Sequence, residues 1–557
     1  MRKFALASVL FALSVQSQKP ASAPEVKAPP PLVEKIDVSV VNVDVTVTDR
    51  HGQPVRNLTR DDFEIIEDGK PQPISNFYVV ENAEARTESG PAAASAPPPE
   101  RFRRKVLVLV DNLNTSVHGR NEALARLEEF INQHFDDGRY DWSIATVDSR
   151  VHLLLPMTSD KKILHDVVAE IRRGGTKRGL KAPIARGESV TASSFSSITD
   201  LPGDAPSQRV QATKEFQTQN KNFDEEMALT EQTMFAGNTT DAVVDAARAF
   251  GSSEGRKMIL LVTGYMPFSR VSPLHRMSSG LGNHMEEINL NDRRLMAMRD
   301  RIIREANASN TSFYIINGEG MEVGASGENV TKATMATPSD GSSAPDTSAM
   351  YWVAGETGGA YLPSNRIDQS LTEFDRRAAN FYSLGFAPKH AEDARYHRIV
   401  VNLKGHPELK LQYRDGYSSA ETDLKLARAL RSPLGATMQE KSMKMSLIIG
   451  DPQYRGLTAL VPLAASMSME SLQYITDARG SRTRLHVYVS IFDSDGRNLT
   501  LAKSFVDVAL KPNEAATGPM TITIPALSLG KGTYNVVVAV RDELTDHVGV
   551  ATHKIQV

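Results

Sequence analysis

The chain has 557 residues, enough for three or four domains at roughly 100–200 residues each. Basic side chains number 64 and acidic side chains 67, and the net charge of -3 argues against a nucleic-acid-binding protein, which usually carries a basic excess. Cysteine is absent, which excludes disulfides, thiolate metal sites and a thiol nucleophile. No apolar run is long enough for a transmembrane helix, so we expect no integral membrane segment in the mature chain.

The N-terminus has the pattern of an export signal. Arg2 and Lys3 form a positive region, and the apolar stretch that follows from Phe4 to Val15 has the length of a signal-peptide core. Cleavage is expected after residues 21–23 or after residues 15–17, and we assign residues 1–23 to the signal peptide. The alternative is a frayed N-terminal helix in a cytosolic protein. Export predicts a periplasmic or secreted protein.

Changes in hydrophobic period divide the rest of the chain. Alternating β-branched residues, as in Ile36 to Val47, predict half-buried strands, whereas the continuous apolar run Val106 to Val110 predicts a strand covered on both faces. Strands of the second kind alternate with helical segments, which predicts a doubly wound α/β domain. The predicted organisation is a signal peptide (1–23), a linker (24–32), the first half of a β-sandwich (33–83), a Pro/Ala linker (84–102), the α/β domain (103–366) with a long insertion (174–237) and a flexible loop (318–347), the second half of the β-sandwich (367–420), a linker (421–439) and a C-terminal β-sandwich (440–557).

The two half-sandwiches are expected to form one domain. About four strands at 36–83 and about three at 381–413 each bury too little surface to be stable alone. Because they flank the α/β segment, we predict that they pair into one sandwich with the α/β domain inserted between them. The fold class is therefore multidomain, α/β plus all-β.

Three loops are expected to meet at the carboxyl edge of the parallel sheet, where doubly wound domains bind ligands. They are Asp111 to Ser116, Gly237 to Thr240 and Thr263 to Tyr265. An Asp together with several hydroxyl groups suits a hard cation such as Mg²⁺. In the alternative interpretation, Asp111 and Asn114 only organise their loop by hydrogen bonds.

These loops resemble the metal-ion-dependent adhesion site of von Willebrand factor type A domains, an Asp-x-Ser-x-Ser motif with a Thr and an Asp from two later loops. The resemblance implies metal ligands at Asp111, Thr115 and Thr239. It also implies a degenerate site, because Leu113 replaces the first Ser and Gly264 stands where the family has its last Asp. We therefore expect no cofactor and, at most, weak binding of Mg²⁺ or Mn²⁺.

A second resemblance, to the VWFA-related exported proteins abundant in Acidobacteria, extends along nearly the whole chain. Matching segments include Val43 to Asp49, Glu67 to Lys70, Glu356 to Gly359, Phe381 to Phe386 and Arg414 to Tyr417. The family implies a von Willebrand A-type (Rossmann-like) domain inserted in an Ig-like β-sandwich and followed by a C-terminal β-sandwich. It implies export and no established activity.

The sequence favours a binding protein over an enzyme. Residues 251–255 match the G-x-S-x-G pattern, but a helix is predicted before them and a strand after them, the reverse of the context that a hydrolase needs. We expect protein–protein interaction or adhesion, without nucleic acid and without catalysis. The alternatives are an extracytoplasmic hydrolase and a purely structural component of the envelope. The candidate partner-binding residues are Asn112, Asn114, Ser116, Tyr265 and Phe268.

Overall fold

The computed structural model describes residues 15–16, 40–81, 84–87, 90–91, 104–134, 140–148, 151–173, 233–234, 236–249, 256–264, 266, 268, 285–318, 348–362, 367–390, 393–419, 422–439, 442–477, 479–494 and 496–557. The predicted linker at 24–32 lies outside these residues, as do most of the signal peptide, of the insertion at 174–237 and of the loop at 318–347. Within the described part of the chain, every helix is too short or too polar to cross a membrane.

The α/β domain is built on a six-stranded sheet. In spatial order its strands are Val151–Thr158, Tyr140–Val147, Arg104–Asp111, Arg256–Thr263, Thr311–Asn317 and Ala360–Leu362. All neighbours are parallel except the first pair, which is antiparallel. Numbered along the chain, the order is 3-2-1-4-5-6, which is an arrangement of doubly wound folds.

Helices cover both faces of this sheet. One face packs against residues 236–249, Met285–Ala308 and Ser348–Glu356, and the other packs against Val117–His134, Lys161–Arg172 and Ile367–Ala379. Leu107 and Leu109 enter the first core, whereas Val106, Val108 and Val110 enter the second. Burial on both faces explains why this strand is continuously apolar in sequence.

Two sheets built from both flanking segments form the first sandwich. The strands of the first sheet have the order Lys410–Gln412, Val41–Thr48, Phe381–Phe386, Asn76–Glu81, Glu84–Thr87 and Gly90–Pro91. Those of the second sheet have the order Gly416–Ser418, Tyr396–Leu403, Phe63–Glu67 and Lys70–Gln72. A 3₁₀ turn at Arg60–Asp62 precedes Phe63–Glu67. Phe381–Phe386 pairs with Val41–Thr48 on one side and with Asn76–Glu81 on the other. Side chains of both sheets, such as Val45 and Ile399, share one core.

The first sheet extends beyond the predicted boundary at residue 83. Glu84–Thr87 and Gly90–Pro91 lie in the predicted Pro/Ala linker at 84–102, yet they add two antiparallel strands to the sheet. An open sheet edge offers unpaired backbone groups to any extended segment beside it. Composition therefore did not predict this pairing.

The segment at 421–439, which was predicted as a linker, forms the helices Thr422–Ala429 and Pro433–Met438. Leu426 packs against the C-terminal sandwich, whereas Leu434 enters the core of the α/β domain. Leu426 and Leu430 have the four-residue spacing of one helix face, whereas Leu434 belongs to the second helix. The segment is therefore a pair of helices that packs against both neighbouring domains.

The C-terminal sandwich also consists of two sheets around a shared core. One contains Met445–Ile449, Gln453–Arg455, Thr458–Ser468, Pro519–Gly530 and the two-residue strand Val15–Gln16, and the other contains Ile475–Asp477, Gly480–Phe492, Asn498–Leu510, Thr533–Asp542 and Val548–Gln556, with a 3₁₀ turn at Met469–Ser471.

Asp423, in the helix Thr422–Ala429, links this segment to the C-terminal sandwich. Its carboxylate is 11% exposed and accepts hydrogen bonds from Tyr488 Oη, Lys503 Nζ and, at 2.7 Å, Arg541 Nε. Burial acts to raise the pKa of Asp423, but the hydrogen bonds from Lys503 and Tyr488 and the charges of Arg541 and His486 outweigh it and lower the pKa to about 2. The ionised carboxylate is therefore stabilised by folding.

We predict that D423N lowers the free energy of unfolding by roughly 3–5 kcal/mol at neutral pH, because it leaves the buried Arg541 without its main counter-charge. The pKa of Asp423 is about 2 in the folded state and 3.8 in the unfolded state. The stabilisation of the fold by the ionised carboxylate is therefore complete above the unfolded value of 3.8 and is lost as the pH falls towards 2. Urea unfolding should show that wild type and D423N differ less in their free energy of unfolding near pH 3 than at neutral pH. The exposed control D451N should match wild type, and a gap that is equal at both pH values would contradict the assignment.

Candidate functional site

The three loops predicted to form the site meet at the carboxyl edge of the α/β sheet. Asp111 and Thr263 end two neighbouring parallel strands, and Thr239 lies in the helix at 236–249. These two strands flank the position at which the strand order reverses. Such a switch point is where doubly wound folds bind their ligands.

Asp111 is the centre of a buried hydrogen-bond network and is 1% exposed. Its Oδ1 accepts from the backbone N–H groups of Leu113 at 3.0 Å and Asn114 at 3.2 Å. Its Oδ2 accepts from Asn114 Nδ2 at 2.8 Å and from Thr263 Oγ1 at 2.9 Å. Burial raises the pKa of Asp111, and the hydrogen bonds oppose this shift because they stabilise the ionised form.

The side-chain amide of Asn114 joins the oxygens that a cation would otherwise join. Its Nδ2 donates to Asp111 Oδ2 at 2.8 Å and to Thr239 Oγ1 at 2.9 Å. The third predicted ligand, Thr115, accepts from the backbone N–H of Gly264 at 3.0 Å. The structure thus brings Asp111, Thr115 and Thr239 to one place and gives each of them a donor from the protein itself. Hydrogen bonds organise this loop.

A close backbone contact covers the network. A Cβ atom on Gly119 would lie 2.0 Å from the carbonyl oxygen of Gly318, so only glycine allows this approach. The backbone N–H of Gly318 donates to the Thr263 carbonyl oxygen at 3.0 Å, and that of Gly264 donates to the Asn114 carbonyl oxygen at 3.0 Å. The backbones of these segments therefore pack closely around the network.

Most residues predicted to contact a partner are buried, which corrects that prediction. Asn112, Asn114 and Phe268 are 8%, 6% and 4% exposed. The two amides are used inside the loop network, and Phe268 packs into the core of the α/β domain. Ser116 is half-buried, and its Oγ accepts from a backbone N–H of the helix that follows. Tyr265 lies outside the described residues.

Exposed aromatic residues lie on the helix Ser348–Glu356, which covers one face of the sheet. Tyr351 and Trp352 are 41% and 52% exposed, and the ring centroids of Tyr351 and Tyr361 are 4.3 Å apart. The guanidinium carbon of Arg299 lies 5.5 Å from the centroid of the Trp352 ring. We call these four residues the aromatic patch. Tyr361 Oη accepts at 3.1 Å from Asn317, which ends a strand two positions from Asp111, roughly 10 Å along the edge.

Sequence reasoning missed this patch, although the signal was present. Ala349, Met350 and Val353 are buried, and their spacing leaves Tyr351 and Trp352 on the outer side of a helix. Contiguous exposed aromatic side chains are typical of an interaction surface.

Comparisons with known proteins do not assign the chain to a family. No family model and no curated protein matches it. Similar solved structures include a von Willebrand factor type A protein from Catenulispora acidiphila, with 8% identity, 88% of this chain and 75% of that chain covered and a TM-score of 0.22. An aerotolerance-related membrane protein from Bacteroides fragilis has 10% identity, 49% and 98% coverage and a TM-score of 0.26. The match to a calcium-binding mutant of Bacteroides uniformis β-glucuronidase 2, with 17% identity and a TM-score of 0.15, covers 20% of this chain and only 13% of the glucuronidase. Superpositions at these scores carry no argument about function.

We predict that the protein does not bind Mg²⁺ or Mn²⁺ at Asp111 more tightly than roughly 100 μM, about -5.5 kcal/mol, because the Asn114 amide already bonds to the required oxygens. Asn114→Asp would place a second carboxylate against Asp111. A cation relieves the repulsion between two such groups, so this variant should gain Mg²⁺ binding. Isothermal titration calorimetry of both proteins measures the difference.

The control for this experiment is the double variant N114D/D111A, which should lose the binding that N114D gains. Saturable binding by the wild-type protein that disappears in D111A would contradict the prediction and restore a metal-dependent site.

Proposed function

We propose that the chain is an exported binding protein with a von Willebrand A-type domain, which engages a protein partner through the aromatic patch, next to the carboxyl edge of that domain, and without a metal ion. The order of the strands and the meeting of the three loops support the A-type assignment, since both are what the sequence resemblance implies. The signal-peptide pattern at residues 1–23 supports a location in the periplasm or outside the cell.

The aromatic patch is the observation that carries the binding role. Tyr, Trp and Arg are the side chains most enriched at the energetic centres of protein interfaces. Here Tyr351 and Trp352 are held on a helix and Tyr361 on a strand, so little conformational entropy is lost when a partner orders them. Arg299 adds a charged group beside the Trp352 ring.

The chemistry of the loops supports binding rather than catalysis. Among the described residues of the three loops, Asp111 is the single ionisable side chain, and it is buried in hydrogen bonds to neutral groups. A general acid or base must come within hydrogen-bond reach of the substrate proton, and the carboxylate of Asp111 is 1% exposed with both oxygens already bonded. The two sandwiches would then act as supports that present the α/β domain.

We predict that W352A weakens partner binding at least tenfold, because truncating an aromatic residue at the energetic centre of an interface typically costs about 2 kcal/mol or more, and tenfold corresponds to about 1.4 kcal/mol. The test is affinity capture from a native envelope fraction, with mass spectrometry of the retained proteins and titration of each candidate against purified variants. The control is L457S, which changes a side chain that is 94% exposed in the C-terminal sandwich. A partner that W352A and wild type bind equally would move the interface away from the aromatic patch.

A second candidate function, hydrolysis by an extracytoplasmic enzyme, is favoured by one observation. A groove of about 470 Å³ between the first sandwich and the α/β domain is lined by Glu356 and Asp415. Burial raises the pKa of Glu356, and the charge of Asp415 and a hydrogen bond with it raise the pKa further. Arg398 Nε lies 3.6 Å from Asp415 Oδ1 and supplies that carboxylate with a counter-charge. Two carboxyl groups in different electrostatic environments can serve as an acid and a base.

A panel of chromogenic esters, phosphoesters and glycosides separates the two candidates. The binding proposal predicts no turnover above that of E356Q. Turnover by wild type that falls at least 100-fold in E356Q would favour the hydrolase, since a general acid or base contributes about that much. The control E408Q, an exposed carboxylate in the same sandwich, should behave as wild type.

A further inference from the structure

Two histidines and a glutamate converge in the first sandwich. Glu67 ends the strand Phe63–Glu67, and His397 lies in the neighbouring strand Tyr396–Leu403. His390 belongs to the connection before that strand. One ligand atom from each of the three side chains lies within 4.8 Å of the other two. Glu67 and His397 are 3% and 6% exposed, and His390 is half-buried.

We propose that Glu67, His390 and His397 bind a divalent transition-metal ion, with Zn²⁺ as the expected ion. Imidazole and carboxylate ligands suit Zn²⁺, whereas Mg²⁺ and Ca²⁺ prefer oxygen ligands alone. The distance from His390 Nε2 to Glu67 Oε1 is 3.2 Å. Ligands bound to zinc at about 2.0–2.1 Å in a tetrahedron lie roughly 3.4 Å apart. This pair therefore has the required spacing already.

The surroundings of His397 provide the support that a metal-binding imidazole needs. Its Nδ1 lies 2.8 Å from Asp68 Oδ2, and its Nε2 lies 3.1 Å from Asp393 Oδ1. Whichever ring nitrogen binds the ion, the other stays hydrogen-bonded to a carboxylate. Both carboxylates are held in turn, since Asp393 accepts from Ser419 Oγ at 2.6 Å and Asp68 accepts from the Arg398 backbone N–H at 2.9 Å. Outer carboxylates of this kind orient histidine ligands.

The charge of Glu67 gives a second reason for a cation. Its buried carboxylate accepts from two neutral donors, the Tyr417 hydroxyl and, at 2.9 Å, the Gln72 amide, and its third neighbour is the His390 ring nitrogen at 3.2 Å. A buried carboxylate is costly unless a positive charge compensates it. The rings of His390 and His397 are stacked with centroids 4.0 Å apart and their planes 16° apart, so two imidazolium ions would repel each other. The half-buried His390 ring must turn out of this stack to direct its nitrogen at an ion shared with His397. One divalent ion bound to two neutral imidazoles supplies the charge without that repulsion.

The proposed ion would link the two halves of the first sandwich. Glu67 precedes the inserted α/β domain in the chain, whereas His390 and His397 follow it. Binding would therefore hold together segments that are more than 300 residues apart in sequence, as the contact between Glu67 and His390 shows. The role assigned to the ion is structural, and it is independent of the partner-binding surface.

The test is calorimetric titration of Zn²⁺ into the full mature chain after removal of metals with a chelator. We expect one ion per chain, a Kd of about 10 μM or tighter and a rise in Tm at saturation, because an ion that binds only the folded state stabilises it. H390Q should weaken binding at least tenfold, and H553Q, which changes an exposed histidine of the C-terminal sandwich, should leave it unchanged. Excess Mg²⁺ should not compete.

Hydrogen exchange of the wild-type chain with and without Zn²⁺ gives a readout that does not depend on a variant folding. Added Zn²⁺ should slow exchange in Phe63–Glu67 and Tyr396–Leu403. Absence of saturable binding below roughly 100 μM, binding that H390Q leaves unchanged, or protection confined to other strands would each overturn the proposal.

Discussion

The pairing of Phe381–Phe386 with strands on both sides is the constraint on which the rest of the structure depends. Its two neighbours, Val41–Thr48 and Asn76–Glu81, both precede the α/β domain in the chain, whereas this strand follows it. The core of the first sandwich therefore closes only when the two ends of the inserted domain come together. Contacts of such large sequence separation form late and slowly, so the inserted domain is expected to fold before the sandwich that surrounds it in sequence.

This insertion also fixes which edge of the α/β sheet faces away from the sandwich. The amino ends of the central strands lie against the sandwich side of the molecule, where Arg256 stacks on Phe381 with its guanidinium carbon 4.1 Å from the ring centroid. The buried Arg414 adds hydrogen bonds to the carbonyl oxygens of Asn42 and Asn307 at 2.6 and 3.2 Å. Because the strands are parallel, their carboxyl ends, with Asp111, point in the opposite direction. The first sandwich therefore lies at the amino ends of the central strands, and the candidate binding edge lies at the opposite end of the sheet.

Local periodicity predicted the elements whose burial is two-sided, such as Arg104–Asp111, or strictly alternating, such as Phe63–Glu67. It predicted less well where tertiary contacts decide the outcome. Phe268 follows a strand end and was expected at the surface, but the core of the α/β domain takes it in. The loop network could be anticipated only in part, because the contact of Asn114 with Thr239 spans 125 residues. The cluster around Glu67 gave no sequence signal at all, since its ligand types are common and their spacing along the chain is too long to form a motif.

The amide of Asn114 has a consequence for control of the candidate binding edge. A metal-filled site is occupied in proportion to the concentration of its ion, so its state can follow the composition of the surrounding fluid. A side-chain amide is present in every molecule at a fixed stoichiometry and holds Asp111 and Thr239 in one arrangement. Recognition at this edge would then be constitutive. Its extent would be set by how much protein and partner the cell supplies rather than by divalent ions in the environment.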